Sequence, residues 1–263
     1  MLASYKRTWE SLDTAWTPNM LIGTMMHAGA AATLYGKASD AVMETVLTKG
    51  YIEQETHSRE WIFDMAQKAL KCLTPQLEAI VGCERIIGIE MELMPLAHHP
   101  AVDRLSRADL VTQGAEGLII TDYKYSRKLS PQWRLKRLQE YDSSFQLWCY
   151  AWQASHLGQV AWIRVFQVIG EPKATLNMTT IRVTPARLAF FERGALAAWE
   201  AMAIEVDTGV KPVPNFMSCQ GKYGQCQFYA ACHEAHGDEA MMEVLYKRVT
   251  KQERGSPSCQ SLN

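Results

Sequence analysis

Between residues 108 and 124 two apolar runs flank the hexapeptide TQGAEG, and this pattern leaves the chain few ways to fold. Leu110 and Val111 precede the turn, and Leu118 to Ile120 follow it. A short polar turn bounded by Gly114 and Gly117 between such runs predicts a β-hairpin. Each predicted strand carries an acid, Asp109 in RADLV and Asp122 in LIITDYKYS. Side chains alternate along a strand, so Asp122 and Lys124 share a face. The hairpin can bring Asp109 close to Asp122. Two carboxylates converging beside a lysine suit a hard cation that carries a reactive water.

The rest of the 263-residue chain is what one elaborated α/β domain needs. Hydrophobic residues make up 48%, enough for a packed core, and some of the eight Trp and ten Tyr can stack on bases instead of filling it. A net charge of −1 argues against polyanion binding over the whole surface, so a nucleic-acid site has to be a local basic patch. No window approaches eighteen uncharged apolar residues, and no membrane span is expected. The first residues, MLASYKRTWESLD, are charged and lack the apolar core of a secretion signal. Seven cysteines form no even framework, which fits a reducing cytoplasm.

In chain order, residues 2 to 16 read as a short helix carrying Tyr5, Trp9, Leu12 and Trp16, broken at 17 to 19. A helical pattern runs from 21 to 48 and puts Gly23 and His27 one turn apart. Residues 53 to 82 look helical with a break at Thr74-Pro75, and Cys72 and Cys83 read as buried thiols. RIIGIEMELMPL alternates as a strand, with Ile87, Ile89, Met91 and Leu93 on one face and Gly88, Glu90 and Glu92 on the other. His98-His99-Pro100 opens a loop. Residues 159 to 169 and 174 to 184 read as paired strands, and 185 to 208 as an amphipathic helix capped by Thr184. The expected fold is α/β, a mixed central sheet flanked by helices.

Beyond Lys124 the segment to 137 holds Arg127, Lys128, Arg134, Lys136 and Arg137 and no acid. A basic run is often only a solvated helix start. This one leaves the strand of Asp122 directly, which favours a phosphate-binding rim. A helix is predicted from Pro131 to His156. One face carries Leu138, Phe145, Trp148, Cys149 and Trp152; the other carries Gln139, Asp142 or Ser143, Gln146, Tyr150 and Gln153.

The ordered set Asp109, Asp122-x-Lys124, then Gln146-x-x-x-Tyr150 resembles the PD-(D/E)XK nuclease superfamily, and more closely its RecB-type branch, with the CRISPR adaptation nucleases and phage recombination exonucleases. GTMMH, ending at His27, resembles the Gly-x-x-x-His motif near the start of such enzymes. Ser106 and Arg107 depart from the pattern, standing where a small residue is usual. The resemblance implies a restriction-endonuclease-like core and a Mg²⁺- or Mn²⁺-dependent deoxyribonuclease, with exonuclease action favoured. Asp109, Asp122, the Tyr123 carbonyl and His27 would hold the metal, and Lys124 would orient the water or steady the transition state. The family's acid on the strand before the hairpin is Glu90 or Glu92, with Glu92 preferred as nearer the hairpin. Gln146 and Tyr150 would contact the strand being cut, with Arg127, Lys128, Arg134, Lys136 and Arg137 on the phosphates. DNA, single- or double-stranded at its ends, is the implied partner, and a second copy or a recombination or CRISPR protein a further one. A silent nucleic-acid-binding scaffold on the same fold is the competing function.

Cys219, Cys226 and Cys232 fall within fourteen residues and resemble the C-terminal cysteines of the family's iron–sulfur members. Those members add a fourth cysteine near the N-terminus, and here no cysteine precedes His27. Four thiolates are the usual requirement for a [4Fe–4S] cluster. An incomplete cluster, a zinc site completed by His233 or His236, and a cap without metal stay open, with neither iron–sulfur cluster nor zinc expected. The expected organisation is one nuclease-like domain over residues 1–236: a helical front at 1–83, a catalytic core at 84–208 and a cysteine-rich cap at 215–236. A helix and a disordered tail follow at 237–263.

Overall fold

Thr17 begins the first helix of the computed structural model, which describes residues 9–11, 17–51, 57–93, 106–208, 220–221, 224–225 and 246–248. Its hydroxyl accepts from the Met20 amide at 3.3 Å, and Pro18 follows in the first turn, where a missing N–H costs nothing. Helix α1 (Pro18–Leu34) buries Leu21, Ile22, Met25, Met26 and Ala30. The sequence predicts one helix from 21 to 48, but the chain turns after Leu34 and restarts as α2 (Ser39–Gly50). Gly36, at φ +68°, makes that turn in the left-handed region. Helix α3 (Arg59–Cys83) is capped by Ser58, whose hydroxyl accepts from the Trp61 amide at 3.2 Å. The break predicted at Pro75 does not occur. Buried residues continue on both sides of it, Leu70 and Leu73 before and Leu77 and Ile80 after, and packing holds the helix through one lost hydrogen bond. A Cβ on Gly29 would stand 2.7 Å from Leu70 and 3.1 Å from Met43, so glycine is what lets α1, α2 and α3 close on one another. Cys72 is half-buried, whereas Cys83, expected buried, is exposed at the helix end.

Five strands form one mixed sheet in chain order: β2 (Arg85–Leu93), β3 (Ser106–Gly114), β4 (Gly117–Ser126), β5 (Val160–Ile169) and β6 (Thr175–Arg182). The predicted hairpin is β3–β4, antiparallel from Gly114↔Gly117 to Leu110↔Thr121. Strand β5 runs parallel to β4, with Asp122 beside Val165 and Lys124 beside Gln167. The crossover between them holds α4 (Pro131–Asp142) and α5 (Phe145–Ala154). The single helix predicted from 131 to 156 is broken because Ser144 caps a new one, and the Trp148 indole donates to the Asp142 carbonyl at 2.8 Å across the joint. Helix α6 (Pro185–Thr208) follows β6.

Each face of the sheet is covered. Leu110, Tyr123, Phe166 and Val168 pack with the helices α1, α2 and α3. Val111, Ile120, Ile163, Val165 and Ile181 pack with Leu147, Trp148, Tyr150 and Ala151 of α5 and with Leu188 and Phe191 of α6. This is the expected mixed sheet between helical layers.

The chain divides into two compact units, residues 16–203 and a second one joining 1–15 to 204–263. In the second, β1 (Trp9–Ser11) pairs antiparallel with β9 (Tyr246–Arg248), and β7 (Gln220–Gly221) with β8 (Gly224–Gln225). Trp9–Ser11 is thus a strand where a helix was predicted: its backbone bonds to residues more than two hundred positions away, which no local periodicity reports. Cys219, Cys226, Cys232, His233, His236, His98 and His99 lie outside the described residues. Among the described residues no helix is long and apolar enough to cross a membrane.

Candidate functional site

The site forms where β3 parts from β4. Their register ends at Leu110↔Thr121, and one residue further Asp109 turns its carboxylate to the neighbouring strand. Asp109 Oδ2 accepts from the Tyr123 amide at 2.6 Å, taking the place of a strand carbonyl. The other oxygen lies 3.3 Å from His27 Nδ1. Helix α1 brings His27 there from the first face, with the ring edge-on to Tyr123 at 5.7 Å. Gly23, one turn earlier, sits over Tyr125, where an added Cβ would meet the tyrosine Cβ at 3.7 Å.

Strand β2 supplies a third ligand-type group, and it is Glu90. His27, Glu90 and Asp109 offer ligand atoms that all lie within 4.8 Å of one another. Glu92, expected in this role, is exposed and paired in register with Arg107. Two irregularities decide between them. The register of β2 shifts between Ile86 and Gly88, so Ile89 packs on the first face while Ile87 and Met91 pack on the second, against the predicted alternation. Glu90 itself takes φ +48°, costly for a residue with a side chain and a mark of a constrained site. Arg107, from β3, holds Glu90 Oε2 at 3.0 Å.

Asp122 and Lys124 lie on the other face, as alternation predicts. Lys124 Nζ donates to Asp122 Oδ1 at 3.0 Å and stands 2.9 Å from Oδ2, outside hydrogen-bonding geometry, so Oδ2 is buried without a hydrogen bond. The same ammonium donates to Gln146 Oε1 at 3.0 Å, and Gln146 Nε2 donates to the Tyr150 hydroxyl at 2.6 Å. A lysine has no acceptor, which fixes how the Gln146 amide is turned. Gln153, one turn beyond Tyr150, is buried. Gln139 and Asp142 belong to α4, and Asp142 pairs with Arg187 at 3.0 Å. Phe145, expected on the apolar face, is exposed against Phe191.

The charges are held under strain. Burial and the neighbouring Asp109 push the Asp122 carboxyl up, against Lys124. Burial, then Asp109, raises Glu90, against Arg107 and His27. Burial alone would lower His27, but the hydrogen bond to Asp109 and the charges of Asp109, Glu90 and Asp122 outweigh it and raise it. Tyr123 is pushed up by burial, and its side chain stacks on Phe166.

The basic run proves less free than it reads. Arg127 Nε bonds Glu171 Oε1 at 2.9 Å, and Lys128 lies 3.1 Å from Oε2 of the same acid. Arg127 also meets His57 Nε2 at 3.0 Å and lies over the Trp61 ring at 5.1 Å. Arg137 pairs with Glu140 at 3.2 Å, Lys136 is exposed, and the Arg134 side chain lies outside the described residues. Glu171 opens the turn after β5, and the parallel register carries it beside Arg127. Only that register could have revealed it.

The family model for the PD-(D/E)XK nuclease superfamily matches residues 3–233. Among solved structures, one from Eubacterium rectale named "Putative exonuclease" is similar at 12% identity and TM-score 0.45, over 91% of this chain and 80% of that one. LHK-Exo in complex with dAMP is similar at 15% identity and TM-score 0.30, over 72% of this chain and 96% of that one. A comparison with curated proteins finds no match.

Proposed function

This chain belongs to the PD-(D/E)XK nuclease superfamily, and from that premise we propose that it is a Mg²⁺- or Mn²⁺-dependent deoxyribonuclease, an exonuclease of the RecB-type branch that works on DNA ends in processing or recombination. The observation that carries the reading is the convergence of His27, Glu90 and Asp109 within 4.8 Å, next to an Asp122 that Lys124 attends. These residues fit a divalent cation: the donors are two carboxylates and one imidazole. Asp109, Asp122, Glu90 and His27 would hold it, with the Tyr123 carbonyl beside them. When bound, such a cation supplies Lewis-acid activation of the phosphate and acidifies a water.

The chain's own groups do the rest. Asp109 is held in place by the Tyr123 amide, so its other oxygen faces His27. Lys124 Nζ stands 3.0 Å from Gln146 Oε1, where its ammonium would face the charge that builds on the phosphate. Because Gln146 donates to the Tyr150 oxygen, the hydroxyl proton of Tyr150 stays available for a substrate phosphate. Lys128 and the cations of α4 would line the path of the backbone, and the nuclease domain would extend to residue 236.

The test is cleavage of end-labelled linear DNA by the purified full chain. Turnover with Mg²⁺ or Mn²⁺, abolished by EDTA and absent on closed circular DNA, is expected. DNA binding without turnover at any metal concentration would instead make the chain a scaffold.

A further inference from the structure

We propose that Tyr35 is a nucleobase-stacking platform at the edge of this site, an inference that rests on the nuclease reading above. Tyr35 caps the C-terminus of α1, the helix that carries His27. The residue is 56% exposed. The hydroxyl donates to the Ile89 carbonyl at 3.4 Å, and Ile89 directly precedes Glu90, whose carboxylate stands with His27 and Asp109. One end of the side chain is tied to the strand that bears a site residue. Lys37 Nζ lies over the ring, 5.8 Å from its centroid. Arg107, half exposed, holds the same Glu90 from the other strand.

An exposed aromatic ring is what a single-stranded nucleic acid uses: a base lies on the ring. The placement suits a base near the cut. Eight residues of helix separate His27 from Tyr35, a rise of about 12 Å, or three to four base rises of about 3.4 Å. Every base has a π-face, so the platform would grip DNA without reading its sequence. It lies toward β2, whereas Arg127 and Lys128 leave the far end of β4.

The experiment measures affinity of the full chain for a single-stranded oligonucleotide carrying 2-aminopurine at successive positions from its end, in EDTA so that no cleavage intervenes. Wild type, Tyr35→Phe and Tyr35→Ala are compared. Tyr35→Ala is expected to weaken binding roughly five- to a hundredfold, the range of one lost stacked base, and to release the fluorescence quench at one position. Tyr35→Phe keeps the ring and should retain both affinity and quench. Equal binding by wild type and Tyr35→Ala overturns the platform while leaving the nuclease reading intact. Loss of affinity in Tyr35→Phe as large as in Tyr35→Ala also overturns it, because the hydrogen bond to Ile89 would then be what matters. A wild type that binds no DNA in EDTA, and none when Ca²⁺ replaces the EDTA, overturns the nuclease reading and the platform with it.

Discussion

The two ends of helix α3's layer and of the hairpin's open end obey opposite rules. Where α1, α2 and α3 pack on the sheet, Leu73, Met25, Met43 and Ile22 are fully buried and apolar, and glycine is spent on close approach. Where β3 parts from β4, the buried groups are carboxylates, Glu90 sits at positive φ and Asp122 Oδ2 lacks a hydrogen bond. The first region lowers the free energy of the fold, and the second raises it. Buried like charges so close together are tolerated because the surrounding layers are already stable.

Breaking the second region should remove catalysis while sparing the fold. Asp109→Asn and Lys124→Ala are each expected to cut cleavage by at least about a thousandfold, several kcal/mol of transition-state stabilisation at about 1.4 kcal/mol per tenfold. Circular dichroism should show both variants folded; near wild-type rates in either would remove the site as drawn. Leu73→Ala breaks the first region instead. It should cost about 2–5 kcal/mol of stability, read by urea unfolding, with cleavage at low temperature nearly unchanged.

The comparison sharpens at Asp122. Its carboxyl is raised by burial, so ionisation costs the fold stability: a contribution present below the ordinary aspartate range is lost as pH rises through the raised value. Asp122→Asn should therefore abolish cleavage and yet raise the Tm of metal-free protein at neutral pH by about 2–4 °C. Lowering the pH from neutral should stabilise wild type more than the variant. A lower Tm for Asp122→Asn would mean that the Lys124 ion pair outweighs desolvation. The smallest effect is expected from Arg127→Ala with Lys128→Ala. Two full phosphate contacts would change the salt slope of DNA binding by about 1.8; a smaller change is expected because Glu171 already holds both cations.

What the sequence by itself determined is what periodicity along one segment can carry. The hairpin around Gly114 to Gly117, the shared face of Asp122 and Lys124, and the one-turn spacings of Gly23 with His27 and of Gln146 with Tyr150 are all local geometry, and the structure has each of them. Tertiary structure alone decided the rest. Glu90 stands in the site instead of Glu92 because a register shift and a positive φ reset the parity of β2, and a shift is defined only against the neighbouring strand. Ser144 splits the helix after the basic run because Trp148 and Asp142 lock across the joint. Glu171 occupies Arg127 because β5 runs parallel to β4 in one register. Each of these depends on which distant backbone lies alongside, and a hydrophobic pattern along the chain is the same whichever neighbour it meets.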